Sequence, residues 1–207
     1  MEFIEEIKIL ENTFRSKETY LTYIGNTDVL LTAVHTMDQL KENGTFKFEE
    51  FYTKAIARYV AAKTDSSYFV KIKDTNIDSN SLVTDDFKEQ LLNYIEENNI
   101  KLIIDIHGAK EERDFDVELG TLNNISADYS SIKELEDAFK EVGITKVQYN
   151  NPFKGGGITQ TIFANTNIDV IQIEINGKYR NIDEPEKIEK ICKALINFIK
   201  MYNNIVD

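Results

Sequence analysis

Cysteine occurs once in this 207-residue chain, proline and histidine twice each, and tryptophan not at all. A single cysteine, Cys192, forms no internal disulfide, which suits a reducing compartment. It also excludes thiolate zinc sites, so any metal must be held by histidine and carboxylate. Two prolines, nine glycines and no low-complexity tract leave no sign of a linker or an internal repeat. Long hydrophobic runs are absent too, and none approaches the ~20 residues that span a bilayer. The acidic start, MEFIEEIKIL, lacks the basic residues and apolar stretch of a secretory signal, so a cytoplasmic location is expected. Basic residues are outnumbered 36 to 24, and the net charge of −12 argues against nucleic acid and anionic membranes as partners.

What remains is a chain with 42% hydrophobic residues, enough for one domain, residues 1–207, with a sizeable core. Strand and helix patterns alternate, the signature of a mostly parallel sheet covered by helices on both faces. Strands are expected at 28–34, 67–72, 101–106, 145–149 and 169–175, with a short apolar segment at 115–119. Helices are expected at 48–63, 85–98, 132–142, 158–164 and 184–203. Phe48, Phe51, Ile56, Tyr59 and Val60 would form the buried stripe of the first. Thr84 and Ser130 or Ser131 are candidate caps, and Pro185 opens the last helix.

Both histidines follow apolar runs: DVLLTAV leads to His35, and KLIIDI leads to His107. In an open α/β sheet, ligands bind beyond the carboxyl ends of the strands, and imidazole is the commonest ligand for divalent transition metals. Two histidines at one sheet edge with acids downstream suggest a metal site; coincidence of two strand ends is the alternative. Asp105 lies two residues before His107, on the same side of a strand, where a carboxylate can accept the other ring N–H of a metal-bound histidine. Its alternative role is a strand-end cap or an ion pair. Glu174 is the acid in the otherwise apolar core of DVIQIEI. A buried carboxylate must be compensated by a metal, a cation or protonation, and in a hydrolase it can be a general base; a solvent-facing strand end is the alternative. PFKGGGITQT (152–161) places three glycines before a helix start, a loop whose N–H groups can approach an anion, without the spacing of a phosphate loop.

Taken in order, His35, DIHG (105–108), ELGT (118–121), PFKGGGIT (152–159) and QIEIN (172–176) resemble the N-formylglutamate amidohydrolase family. That pattern runs roughly PHxG, DxHS, LGT, FKGGxITR and Q-[IL]-E-[IL]-N, and the resemblance covers about residues 28–185. It implies a three-layer α/β/α hydrolase with a mostly parallel mixed sheet, similar to zinc carboxypeptidases and aspartoacylases. It also implies one zinc per chain, although other divalent transition metals suit the same ligands. By position, His35 and His107 match the histidine ligands and Glu174 the catalytic acid. The carboxylate ligand matches Glu50, with Asp38, three residues after His35, as the alternative.

The substrate part of the pattern departs further. The arginine of ITR is Gln160, an Asn-Arg pair after the second strand is Asn76-Ile77, the proline before the first histidine is Val34, and the serine after the second is Gly108. Arg113, Lys154 or Arg180 can replace the lost cation, and Arg113, on the loop past His107, is preferred. Gly156, Gln160 and Asn176 stand at the remaining substrate-contact positions. The resemblance thus implies a zinc-dependent hydrolase of an amide C–N bond in an N-acyl amino acid or short peptide-like substrate. The competing readings are a hydrolase-like protein that binds a small ligand without turnover, and a structural scaffold without metal.

Overall fold

In the computed structural model, residues 2–12, 18–41, 43–73 and 77–204 are described. In chain order they form α1 (Phe3–Glu11), β1 (Tyr20–Tyr23), β2 (Val29–Ala33), β3 (Gln39–Leu40), β4 (Phe46–Lys47), α2 (Thr53–Thr64), β5 (Ser67–Lys71) and α3 (Asp86–Glu97). There follow β6 (Leu102–Ala109), β7 (Val117–Gly120), α4 (Tyr129–Glu141), β8 (Val147–Tyr149), α5 (Gly157–Asn165), β9 (Asp169–Asn176) and α6 (Pro185–Tyr202). Seven strands make one sheet in the order β1-β5-β2-β6-β9-β7-β8, and β3 and β4 form a separate hairpin. The centre, β5-β2-β6-β9, is parallel, whereas β1 and β7 join it antiparallel. The expected three-layer arrangement is therefore present.

Period-two alternation sorts the strand residues between two cores. Val29, Leu31, Ala33, Ile104, Ile106, Ile171 and Ile173 face α1, α2, α4 and α6. Leu30, Val34, Ile103 and Val170 face α3 and α5. On α6, Ile188, Ile191, Leu195, Phe198 and Ile199 recur at helical spacing and are fully buried. At roughly 1.5–3 kcal/mol per buried large side chain, that stripe alone anchors the helix to the sheet. No helix among the described residues is long and apolar enough to cross a membrane.

Some boundaries move for local reasons. The helix expected from Phe48 begins at Thr53, because Tyr52 takes a left-handed φ of 67°. Phe48 and Phe51 are consequently 74% and 58% exposed rather than part of a buried stripe. The preceding turn is tied to the sheet by Glu50 N–H donating to His35 O at 2.7 Å. Asp85, not Thr84, caps α3, accepting from Lys88 N–H. Helix α4 starts before Ser130 and Ser131, at an Asp128 whose side chain makes no cap bond.

Candidate metal centre

The parallel register lines up the polar residues. Thr32, Asp105 and Gln172 pair across β2, β6 and β9, and one step on, His107 pairs with Glu174, which pairs with Glu118 of β7. These positions share a face with Leu30, Ile103 and Val170, so the wall that is apolar beneath α3 and α5 becomes polar at its carboxyl end. His35 arrives two residues past β2.

Glu50 joins the two histidines in a buried cluster whose ligand atoms all lie within 4.8 Å of one another. Glu50 Oε1 is 3.0 Å from His35 Nδ1, Glu50 Oε2 is 3.5 Å from His107 Nδ1, and the two Nδ1 atoms are 3.1 Å apart. The Gly108 N–H donates to Glu50 Oε2 at 2.7 Å. Each outward ring nitrogen meets a carboxylate: His35 Nε2 lies 2.9 Å from Asp78, and His107 Nε2 lies 2.9 Å from Asp105. Because carboxylates only accept, both outward nitrogens carry the hydrogen and the inward Nδ1 atoms are directed at the same point. Thr32 Oγ1 donates to Asp105 at 2.7 Å and holds that carboxylate in turn. Two neutral imidazole nitrogens and one carboxylate suit zinc, and three protein ligands leave a position open for chemistry. Asp38 stands apart from this cluster and accepts from the Glu49 N–H.

Charge balance in the metal-free cluster follows from these contacts. Burial opposes ionisation of Glu50, but the charges and hydrogen bonds of His35 and His107 hold it well below the usual carboxylate range. Burial likewise disfavours the His107 cation, yet Asp105 and Glu50 raise its pKa well above the ordinary value. Lys47 Nζ adds a second cation, 2.6 Å from Glu50 Oε1. Burial pushes Glu174 up to about 7, with His107 opposing and Glu50 adding to the rise. Its Oε1 accepts from Gln172 Nε2 at 2.8 Å.

The glycine-rich loop is seated by the ELGT segment. Fully buried Glu118 accepts from the N–H groups of Asn151, at 2.5 Å, and Phe153, at 2.7 Å. A Cβ on Gly120 would lie 2.7 Å from Gly155 N, so glycine is required for the approach of the loop. Gly156 N–H donates to Gln172 Oε1 at 2.6 Å, and a Cβ there would collide with Asn80. Asp78 and Asn80 sit on a connection pinned by two buried lysines, Lys71 bonding to Ile77 O and Ser79 Oγ, and Lys88 to Ser81 O and Val83 O.

The cluster and loop border an open cleft of about 440 Å³, whose lining includes His35, Glu50, Glu174, Arg113, Lys154 and Gly156. Arg113 lies over the Phe153 ring, 5.2 Å from its centroid. Arg180 is committed elsewhere: its guanidinium donates to the carbonyls of Phe51, Ala109 and Ile175. It fills the volume that a Cβ at residue 108 would need, with Cζ 2.4 Å from that position, which explains glycine there. Gln160 turns to Gly155 O. Asn176 is fully buried and donates to the carbonyls of Glu111, Arg113 and Phe115, bracing the loop that carries Arg113. Asn76 lies outside the described residues. Sequence reading missed Asp78 and Lys47, which belong to no quoted motif, and gave no role to Glu118 within ELGT (118–121).

Residues 85–179 match the family model described as N-formylglutamate amidohydrolase, so the resemblance seen in the motifs is borne out. In fold the chain is similar to the N-formylglutamate amidohydrolase of Ralstonia eutropha JMP134, with a TM-score of 0.63 and 11% identity over 91% of this chain and 99% of that one. A bacteriophage poly-γ-glutamate hydrolase gives a TM-score of 0.58 at 13% identity, covering 97% of each chain. A metallo-carboxypeptidase from Burkholderia cenocepacia gives 0.50 at 12% identity, over 88% of this chain and 61% of that one. No curated protein matches the chain.

Proposed function

We propose that the protein is a zinc-dependent hydrolase of an amide C–N bond in an N-acyl amino acid or short peptide-like substrate. The observation that carries the reading is the buried His35–Glu50–His107 cluster beside a buried carboxylate, Glu174, in register with His107. Zinc held by these three residues supplies Lewis acidity, lowering the pKa of water from 15.7 towards about 7 and polarising a carbonyl. Glu174 accepts the proton of the attacking water and delivers it to the amide nitrogen as the C–N bond breaks, so the amine leaves neutral. Burial raises this carboxyl to about 7 in the metal-free site, and the charge of bound zinc would favour its ionised, proton-accepting form. Gln172 fixes the orientation of Glu174 through Oε1, leaving its other oxygen for the proton. Arg113, held over Phe153 at the cleft wall, offers a fork for a substrate carboxylate. Match of the family model over 85–179 supports amide hydrolysis as the reaction class.

Glu174→Gln tests the assignment. Turnover of N-acyl amino acids should fall by about 10²–10⁴ while zinc content is retained. Absence of turnover in both forms, with zinc bound, would favour a ligand-binding protein on a hydrolase fold instead.

A further inference from the structure

Amide hydrolysis makes one demand that Glu174 does not meet. As water adds, negative charge gathers on the former carbonyl oxygen, and a donor placed there in advance lowers the barrier. The cleft is lined by Lys41, Lys47, Lys110, Arg113 and Lys154. Among these, and among the described residues, Lys47 alone reaches the cluster, its Nζ 2.6 Å from Glu50 Oε1.

The fold fixes where that ammonium can go. Lys47 pairs with Gln39 across the β3–β4 hairpin. Gln39 is fully buried, donating to Val34 O at 2.7 Å and accepting from Lys71 Nζ at 2.7 Å. The hairpin is thereby tied to the backbone one residue before His35, and Lys47 projects from a fixed base. His35 Nδ1 stands 3.0 Å from the same Glu50 Oε1, so a metal between the ligands and the ammonium contend for one oxygen. An ammonium on a four-carbon stem can swing from that oxygen and stay beside the cluster, which a rigid guanidinium fork does less readily. Glu174 and Asp78, which also line the cleft, both feel the charge of Lys47.

We infer that Lys47 is a catalytic residue: leaving Glu50 when the metal binds, its ammonium donates to the carbonyl oxygen of the scissile amide and holds the charge that develops there. This rests on the amide-hydrolase reading above. Lys47 keeps its protons throughout; the proton of the attacking water travels through Glu174 to the amine. Crowding two cations costs metal affinity in the resting site. The return comes only when the oxygen carries charge, the condition for raising kcat rather than lowering KM.

The test compares wild type, Lys47→Met, Lys47→Arg and Lys110→Met, all zinc-loaded, on a panel of N-acyl amino acids. Lys47→Met should lower kcat by about 10²–10³ with little change in KM, while zinc binds roughly 3–10-fold more tightly. The loss should persist at high salt, because a contact this short is screened little. Lys47→Arg, which keeps the charge, should recover about tenfold, and Lys110→Met, which lines the same cleft, should stay within about threefold of wild type. A kcat in Lys47→Met within about threefold of wild type overturns the inference and leaves the hydrolase reading intact. So does a loss of kcat that accompanies a loss of zinc, which marks Lys47 as a support of the ligands. If wild type binds zinc and cleaves no amide, the hydrolase reading fails, and titration with inorganic phosphate, a tetrahedral oxyanion, decides on Lys47 separately. Phosphate bound about tenfold more weakly by zinc-loaded Lys47→Met than by wild type sustains the oxyanion contact, and equal or absent binding ends it.

Discussion

Asp78 offers the sharpest test of how the histidines are held. It accepts from His35 Nε2 at 2.9 Å, the ring nitrogen opposite the one that faces Glu50 and His107. Its carboxyl is held at about 2: burial pushes it up, and the hydrogen bond and charge of His35 outweigh that. A carboxylate in this position fixes the tautomer and raises the basicity of the inward nitrogen, and losing such a partner typically weakens metal binding by about 10–100-fold. Asp78→Asn keeps an acceptor oxygen but loses the charge, so it belongs at the lower end, about tenfold or 1.4 kcal/mol. Asp78→Ala removes both and should approach the upper end. Asp105→Asn should cost more than Asp78→Asn, because Asp105 is fully buried and is also held by Thr32. Zinc affinity is read by competition with a chromogenic chelator at fixed pH, with far-UV circular dichroism to show that the fold persists. Binding within twofold of wild type in both Asp78 variants would mean that His35 is not oriented through Nε2.

Three other outcomes follow from contacts in the same site. Asp105 and Glu50 raise the His107 pKa above its ordinary 6.5 in the metal-free protein, so protons compete with zinc for its inward nitrogen. Zinc affinity should therefore rise about tenfold per pH unit for each proton displaced, levelling off above the folded pKa; calorimetry in buffers of different ionisation enthalpy would refute this by finding no proton release. By the same raised pKa, the metal-free fold carries its full stabilisation from this group below 6.5 and loses it as pH rises through the folded value, a trend checked by denaturant unfolding across pH. Lys47→Met removes an ammonium 2.6 Å from Glu50 Oε1 and should tighten zinc binding by roughly 3–10-fold, since the lysine competes for the same oxygen; weaker binding would contradict that role. Gly108→Ser, the residue that the family pattern carries there, drives a Cβ to 2.4 Å from Arg180 Cζ and should cost about 1–3 kcal/mol, seen as a lower Tm. An unchanged Tm would mean that Arg180 has another place to go.

Legibility in the sequence followed the range of the forces involved. The strands were readable because a parallel sheet buried on both faces demands predominantly apolar segments rich in β-branched residues, and LIIDI (102–106) and DVIQIEI (169–175) are such segments. The two histidines and Glu174 were readable as polar breaks at the ends of those runs. Glu50 could be reached only through the resemblance, because its place depends on a left-handed turn at Tyr52 that no local pattern marks. Helix periodicity extended back to Phe48 was misleading for the same reason: aromatic spacing fits a helix, yet Phe48 and Phe51 stand exposed. Asp78 was invisible because its partner is 43 residues away, on another strand's end, and nothing near it in sequence distinguishes it from the other acids of an acidic chain. Gly108 read as a departure from the family pattern and proved to be a matter of space, set by Arg180 from the opposite end of the site. Helix α1, strand β1 and the β3–β4 hairpin lie in short, mixed-polarity segments whose order comes from what they pack against.

The central claim is that His35, Glu50 and His107 hold a metal ion. Metal analysis of the purified protein and of His107→Ala tests it most directly. About one zinc per wild-type chain, lost in the variant, is the predicted result. No metal in the wild type, even after zinc is supplied and excess removed, would show that the buried cluster is held together by its own hydrogen bonds and that the chemistry proposed for Glu174 has no centre to act on.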